Sequence, residues 1–264
     1  MTEKFIFILA GIAVLLASAV FAAAPTIDNV ELNASYSPTE AGTTYVSIRF
    51  NVSDSDLVAN LNDSLCRCDV DDQATYAASY ASNTSCAAID IDADTREYSC
   101  SIAMLYWYAA GTWSLNVTAG DDATLVSDST KTFNYSELVA SSIDTAAVEF
   151  GAITYVKYGT TVTDSNAPTT ITNTGNKVLS FSITGATATA GANVVSVGSF
   201  LVDTDSNSEG ALALTTGSQA ISGASAPIED ITPGGNTEDI WFFFAVPNPL
   251  LPGSYSSTWT LTES

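Results

Sequence analysis

Apolar and polar residues alternate along this chain with a period of two, and nothing after Ala24 carries a 3.6-residue period. In the run Tyr45-Val46-Ser47-Ile48-Arg49-Phe50-Asn51-Val52, the side chains of Ile48, Phe50 and Val52 alternate with Arg49 and Asn51. Successive side chains of a strand point to opposite faces, so this pattern builds a strand with one dry face and one wet one. Trp113, Leu115 and Val117 alternate with Ser114, Asn116 and Thr118 in the same way. Leu179, Phe181 and Ile183 share one face after the turn Asn173-Thr174-Gly175-Asn176. Pro252-Gly253 makes a turn, and Tyr255, Ser257, Trp259 and Leu261 then fall on one side of a final strand. Short strands punctuated by Gly, Pro, Asn and Asp predict an all-β chain built of sandwiches.

A length of 264 residues has room for two such domains. The boundary falls between Tyr135 and Asp144. Phe133-Asn134-Tyr135 reads as the end of a last strand, and Ser136 to Ser142 is small and polar apart from Leu138 and Val139. Val148-Glu149-Phe150-Gly151 then opens a new strand pattern. Cysteines and glycosylation sequons stop at the same place. The predicted organisation is therefore a segment at 1–24, a sandwich at 25–137 and a second sandwich at 138–264.

The first segment is an export signal. Lys4 precedes an apolar stretch from Phe5 to Ala24, and Val20 and Ala22 suit the −3 and −1 positions of a signal-peptidase site. Cleavage after Ala22 is expected, with export through a Sec-type pathway to the cell surface or medium. The alternative is retention, since about 20 apolar residues just span a bilayer as a helix. The membrane would then be touched only through this segment. The later run Trp241 to Val246 is too short to span and ends at Pro247.

Composition excludes several chemistries. With 29 acidic and 7 basic residues, the net charge is −22, which rules against nucleic acid as a partner. There is no histidine, so neither a Ser-His-Asp nor a Cys-His centre can form, nor a His-ligated metal site. Charged residues are only 14% of the chain, so the acidity reflects few Lys and Arg as much as many acids. A surface of Ser, Thr, Ala and Asn on an exported protein fits better than a dense salt-adapted coat.

Four cysteines, Cys66, Cys68, Cys86 and Cys100, lie in the first half. In an exported chain an even number implies disulfides. Cys66 and Cys68 share one strand face and are too close to pair comfortably with each other. The expected bridges are Cys66–Cys100 with Cys68–Cys86, or the crossed set. A zinc site is the rival, though Cys-x-Cys with wide unmatched spacings suits zinc poorly. Sequons at Asn33, Asn51, Asn62, Asn83, Asn116 and Asn134 mark expected glycosylation on a solvent-facing first domain.

Acid clusters are the candidate metal sites. Asp203, Asp205, Asn207 and Glu209 place oxygens at every second residue, the spacing of a calcium loop. No glycine stands at the sixth position, where an EF-hand turns sharply; the plain alternative is a solvated loop. Asp90, Asp92 and Asp94 alternate with Ile89, Ile91 and Ala93, which reads as a strand with a wet acidic face. Asp69, Asp71 and Asp72 beside Cys68 are a similar case. Calcium is the cofactor these sites would take, and no other is expected. Pairs of carboxylates close enough for glycoside hydrolysis are inevitable in so acidic a chain and carry no weight. No catalytic residue is assigned and the protein is not expected to be an enzyme. In Met104-Leu105-Tyr106-Trp107-Tyr108, alternation sends Leu105 and Trp107 one way and Met104, Tyr106 and Tyr108 the other. Exposed rings here would stack on sugars or dock a partner, whereas a strand buried on both faces would not.

The second half, through Val148-Glu149-Phe150-Gly151, Ile171-Thr172-Asn173-Thr174-Gly175-Asn176, Pro247 and Leu251-Pro252-Gly253-Ser254-Tyr255-Ser256, resembles Ig-like β-sandwich modules of archaeal exported surface proteins. The first half, through Phe50-Asn51-Val52-Ser53-Asp54-Ser55-Asp56, Tyr98-Ser99-Cys100 and Gly111-Thr112-Trp113, is similar to the module that often precedes it. The resemblance implies two Ig-like sandwiches in tandem and a cell-surface or envelope protein without known catalysis. The expected role is structural or adhesive. The alternatives are a module binding glycans or other cell-surface proteins, and a self-assembling, pilin-like filament subunit that retains its N-terminal helix.

Overall fold

Alternation is realised most fully in the long central strands, where β-branched and aromatic side chains fill one face. The structure is a computed structural model, and it describes residues 23–72, 80–153, 159–165, 167–226 and 236–264. The expected export segment therefore lies, up to residue 22, outside the described residues. The fold is all-β. The described residues contain no α-helix, only short 3₁₀ turns such as Asp63–Leu65.

In the first half the strands are β1 (Thr26–Glu31), β2 (Ser35–Tyr36), β3 (Thr43–Ser53), β4 (Arg67–Asp72), β5 (Tyr80–Asn83), β6 (Ala87–Asp90), β7 (Thr95–Leu105), β8 (Gly111–Gly120) and β9 (Leu125–Tyr135). They form a four-stranded sheet in the order β1-β3-β7-β6 and a five-stranded sheet in the order β2-β9-β8-β4-β5. Val46, Ile48, Phe50 and Val52 of β3 are fully buried, as are Ile102 and Met104 of β7. From the other sheet come Cys68 and Val70 of β4 and Trp113, Leu115 and Val117 of β8. Each of these larger apolar side chains contributes roughly 1.5–3 kcal/mol by leaving water. The Phe50 and Tyr98 rings stack at 5.6 Å, and Trp113 lies 6.4 Å from Phe133.

In the second half the strands are β10 (Ser141–Ile143), β11 (Thr161–Thr163), β12 (Thr169–Asn173), β13 (Leu179–Thr184), β14 (Ala188–Ala190), β15 (Asn193–Val195), β16 (Phe200–Asp203), β17 (Leu212–Ala213), β18 (Gln219–Ala226), β19 (Thr237–Ala245) and β20 (Thr260–Glu263). One sheet runs β10-β12-β19-β16-β17 with β11 also on β19; a second runs β18-β13-β20; β14 and β15 pair separately. The apolar run that was too short for a membrane span is the central strand β19, with Ile240, Phe242, Phe243 and Phe244 all buried. Phe200 stacks on Phe244 at 5.1 Å, and Phe150 and Trp259 close over the same cluster.

Two expectations of strands are replaced by irregular chain. Residues 144–153 form no ladder around Val148-Glu149-Phe150-Gly151. They are tied instead through Asp164, whose Oδ1 accepts from Glu149 N at 2.7 Å, and by Ser165 N donating to Glu149 O at 2.7 Å. Phe150 reaches the core from a loop. At the C-terminus only Thr260–Glu263 is a strand, yet Tyr255, Trp259 and Leu261 still pack on the core.

The chain divides into two units. One runs to Ala34 and adds Tyr45–Ala103 and Thr112–Phe133; the other comprises Ser35–Thr44, Met104–Gly111 and Asn134–Ser264. Within the second unit the turn 173–176 is a buried polar hub, with Asn173 and Asn176 each 2% exposed. Asn176 Oδ1 accepts from Leu138 N at 2.6 Å, its Nδ2 donates to Ser136 O at 3.0 Å and Tyr108 O at 3.1 Å, and its own N–H donates to Leu138 O at 3.0 Å. Thr174 Oγ1 donates to Glu40 Oε1 at 2.7 Å. Gly175 is required by close approach, since a Cβ there would sit 2.2 Å from Leu138 O.

Candidate functional site

Cys68 lies in β4 and Cys66 immediately before it, after the 3₁₀ turn Asp63–Leu65, and both are buried. The pairing differs from the expected one. Cys86 is bonded to Cys100, and Cys66 and Cys68 are buried thiols, so neither the set Cys66–Cys100 with Cys68–Cys86 nor the crossed set is present. The reason is register. Ala87 pairs with Ser99 and Ala88 with Tyr98 in the β6–β7 ladder, so the next pair outward is Cys86 opposite Cys100. Their Cα atoms are 4.5 Å apart, the spacing of a directly facing cross-strand pair.

Cys66, just ahead of β4, lies against that pair. The Sγ atoms of Cys66, Cys86 and Cys100 all lie within 4.8 Å of one another. Among the described residues this is the one group of three metal-ligating side chains within reach of a single ion. Two of its three sulfurs are bonded to each other and so are not ligands in this state. Burial pushes the Cys66 thiol up to about 12, and the Asp63 carboxylate adds to the rise. Cys68 is raised by burial first, then by Cys66 and Asp69.

Asp63 is itself held in a small network. Tyr98 Oη donates to Asp63 Oδ1 at 2.7 Å, and Arg96 Nη1 donates to the same oxygen at 2.7 Å. Arg96 Nε donates to Asp90 at 2.6 Å. Burial raises the Tyr98 phenol, with its bond to Asp63 second. Asp90 thus ends β6 in an ion pair, and Asp92 and Asp94 sit in the turn beyond it rather than along a wet strand face.

The Asp203 loop turns its oxygens onto its own backbone. Asp203 Oδ1 accepts from Thr204 N, Asp205 Oδ1 from Asn207 N at 2.7 Å, and Asn207 Oδ1 from Glu209 N at 3.1 Å. These are side-chain-capped turns, which is what Asp and Asn do locally without a cation. Asp203 closes strand β16, Asp205 lies in a bend, Asn207 in irregular chain and Glu209 in a turn.

The aromatic run is not one alternating strand. β7 ends at Leu105, and 106–108 turn. Tyr106 is buried, while Trp107 and Tyr108 are half-buried, which removes the expected split of Leu105 and Trp107 from the others. The three rings stack edge to face in sequence, at 4.9 Å and 6.3 Å.

The sequons differ in access. Asn33 and Asn134 are exposed, and Asn51 and Asn116 are half-buried. The amide nitrogens of Asn62 and Asn83 donate to Asp122 Oδ1 at 2.6 Å and Ser101 O at 2.8 Å. A sugar on either nitrogen would have to displace that bond.

Composition alone could not locate a hollow on the first half's surface. The wet faces of β4 and β8 pair in register, Arg67 with Thr118, Asp69 with Asn116 and Asp71 with Ser114. These six residues line an open depression of about 710 Å³. Arg67 Nε meets Asp69 Oδ1 at 2.6 Å. The depression offers many hydroxyl, amide and carboxylate partners, and no aromatic ring lines it. Cys66 lies at its margin. Alternation showed the wet face of β8; only the strand order shows that Arg67, Asp69 and Asp71 of β4 lie beside it.

No protein-family model matches the chain. No curated protein matches it. Among solved structures, the C-terminal domain of the AgI/II polypeptide BspA from Streptococcus agalactiae is similar at 9% identity, with a TM-score of 0.22, over 91% of this chain and 100% of that one.

Proposed function

We propose that this chain is an exported cell-surface or envelope protein, structural or adhesive in role, built of two Ig-like sandwiches at 25–137 and 138–264. The observation that carries this reading is where the chain directs its chemistry. Apolar alternation is used up in packed cores, and the outward positions of β4 and β8 carry Asp, Asn, Ser and Thr. A cross-strand bridge between Cys86 and Cys100 suits an oxidising, extracellular compartment. The sandwiches then act as spacers and docking surfaces for other envelope proteins or for further copies. Labelling intact native cells with a membrane-impermeant amine reagent tests this. The protein should be labelled to the same extent before and after lysis; labelling only after lysis would refute a surface location.

The depression on β4 and β8 favours a second reading, a module that binds glycans through hydrogen bonds. In that case Asp69→Ala and Asn116→Ala would each abolish retention on a glycan array while leaving the melting temperature unchanged. Binding that survives both changes removes the depression from consideration.

A further inference from the structure

We propose that Cys66, Cys86 and Cys100 form a thiol–disulfide exchange site, in which Cys66 displaces Cys86 from Cys100 and releases Cys86 as a thiol open to modification. Three sulfurs lie within 4.8 Å of one another, and one of them is an unbonded thiol beside a disulfide. Exchange needs that arrangement and no outside oxidant or reductant. The proton of Cys66 Sγ leaves to water. The thiolate attacks Cys100 Sγ, the Cys66–Cys100 bond forms and the Cys100–Cys86 bond breaks. The electron pair departs on Cys86 Sγ, which then takes up a proton, so the protein's oxidation state does not change.

Attack at Cys100 is favoured over attack at Cys86 by where the leaving sulfur ends up. Cys86 is half-exposed, so water can solvate its thiolate. Cys100 is 3% exposed, and a thiolate there would be stranded in the core. The bridge to Cys100 of β7 thereby moves from Cys86, the residue before β6, to Cys66, the residue before β4. The thiol moves outward, from a residue 1% exposed to one at the end of an edge strand. A partner carrying a disulfide could then be captured at Cys86 by a second exchange.

The test is alkylation of the whole folded protein, purified without reductant, with iodoacetamide, followed by acid quenching and peptide mapping. The expected result is alkylated Cys86 and a Cys66–Cys100 linked peptide, rising together with time. Cys66→Ser should cut Cys86 alkylation at least tenfold, and Cys68→Ser should leave it unchanged. Should Cys66→Ser fail to fold, the wild-type map decides alone. Three results would overturn the proposal: persistence of Cys86–Cys100 with Cys86 unmodified, equal Cys86 alkylation in Cys66→Ser, or a purified protein with two bridges and no thiol.

Discussion

Asn176 closes four hydrogen bonds from one buried position, to Leu138 twice, Ser136 and Tyr108. Removing its amide leaves a buried N–H and two carbonyls with one partner fewer. Each such loss costs about 1 kcal/mol or somewhat more. Asn176→Ala should therefore lower stability by roughly 2–4 kcal/mol, read from a urea midpoint. A shift below about 0.5 kcal/mol would show the hub to be dispensable. Cys66 makes a prediction about pH. Its thiol is raised from 9.0 to about 12, by burial first and Asp63 second. Tyr135 is raised from 10.0 to about 12, also by burial first. Both groups hold their protons more tightly when folded. Their stabilisation is thus complete below about pH 9 and is lost as pH climbs toward 12. The groups around Cys66 are Asp63, Cys68 and the Cys86–Cys100 pair. The urea midpoint should be flat from about pH 7 to 9 and fall steeply by about pH 11. A midpoint unchanged at pH 11 would contradict the burial of these groups.

Among the elements, the β6–β7 pair depends on its bridge. Cys86 and Cys100 are 14 residues apart, and closing a loop of that size stabilises by roughly 3 kcal/mol in the chain-entropy picture. The double substitution Cys86→Ala with Cys100→Ala should lower the first unit's denaturation midpoint accordingly, while the second unit, which has no cysteine, keeps its own. Equal midpoints for wild type and the double variant would sink this. The inward faces of β3, β8 and β13 were legible because alternation depends only on local chain geometry. Partners were not, because register is a long-range choice. Spacing alone therefore suggested bridges that used Cys66 and Cys68, where ladder alignment set Cys86 opposite Cys100. Alternation also misled wherever a strand stopped early. Tyr106 to Tyr108 turn after Leu105, and Phe150 and Tyr255 reach the core from loops. A buried aromatic has the same hydrophobic signature on a loop as on a strand.

At the scale of the whole molecule, the division at 137/138 stands as a proposal with its own test. A fragment from Val139 to Ser264 contains every strand of β10 to β20 and no cysteine. It lacks Glu40, Tyr108, Ser136 and Leu138, which bond the turn 173–176. It should melt cooperatively, indifferent to reductant, but roughly 2–4 kcal/mol less stable than the same region in the full chain. A fragment with no cooperative melt would mean that the two halves do not fold separately. The expectation of export rests on Lys4, the apolar stretch and Ala22, which are read from local sequence and lie outside the described residues. The role is less legible, because a binding surface on a β fold is assembled from strands distant in sequence. The central claim is that the mature protein acts beyond the membrane. Intact mass with N-terminal sequencing of protein from its native cells tests it most directly. The account predicts a chain beginning at Ala23, with added sugar mass confined to exposed sequons such as Asn33 and Asn134. A chain beginning at Met1, without added mass and recovered from the cytosolic fraction, would contradict it.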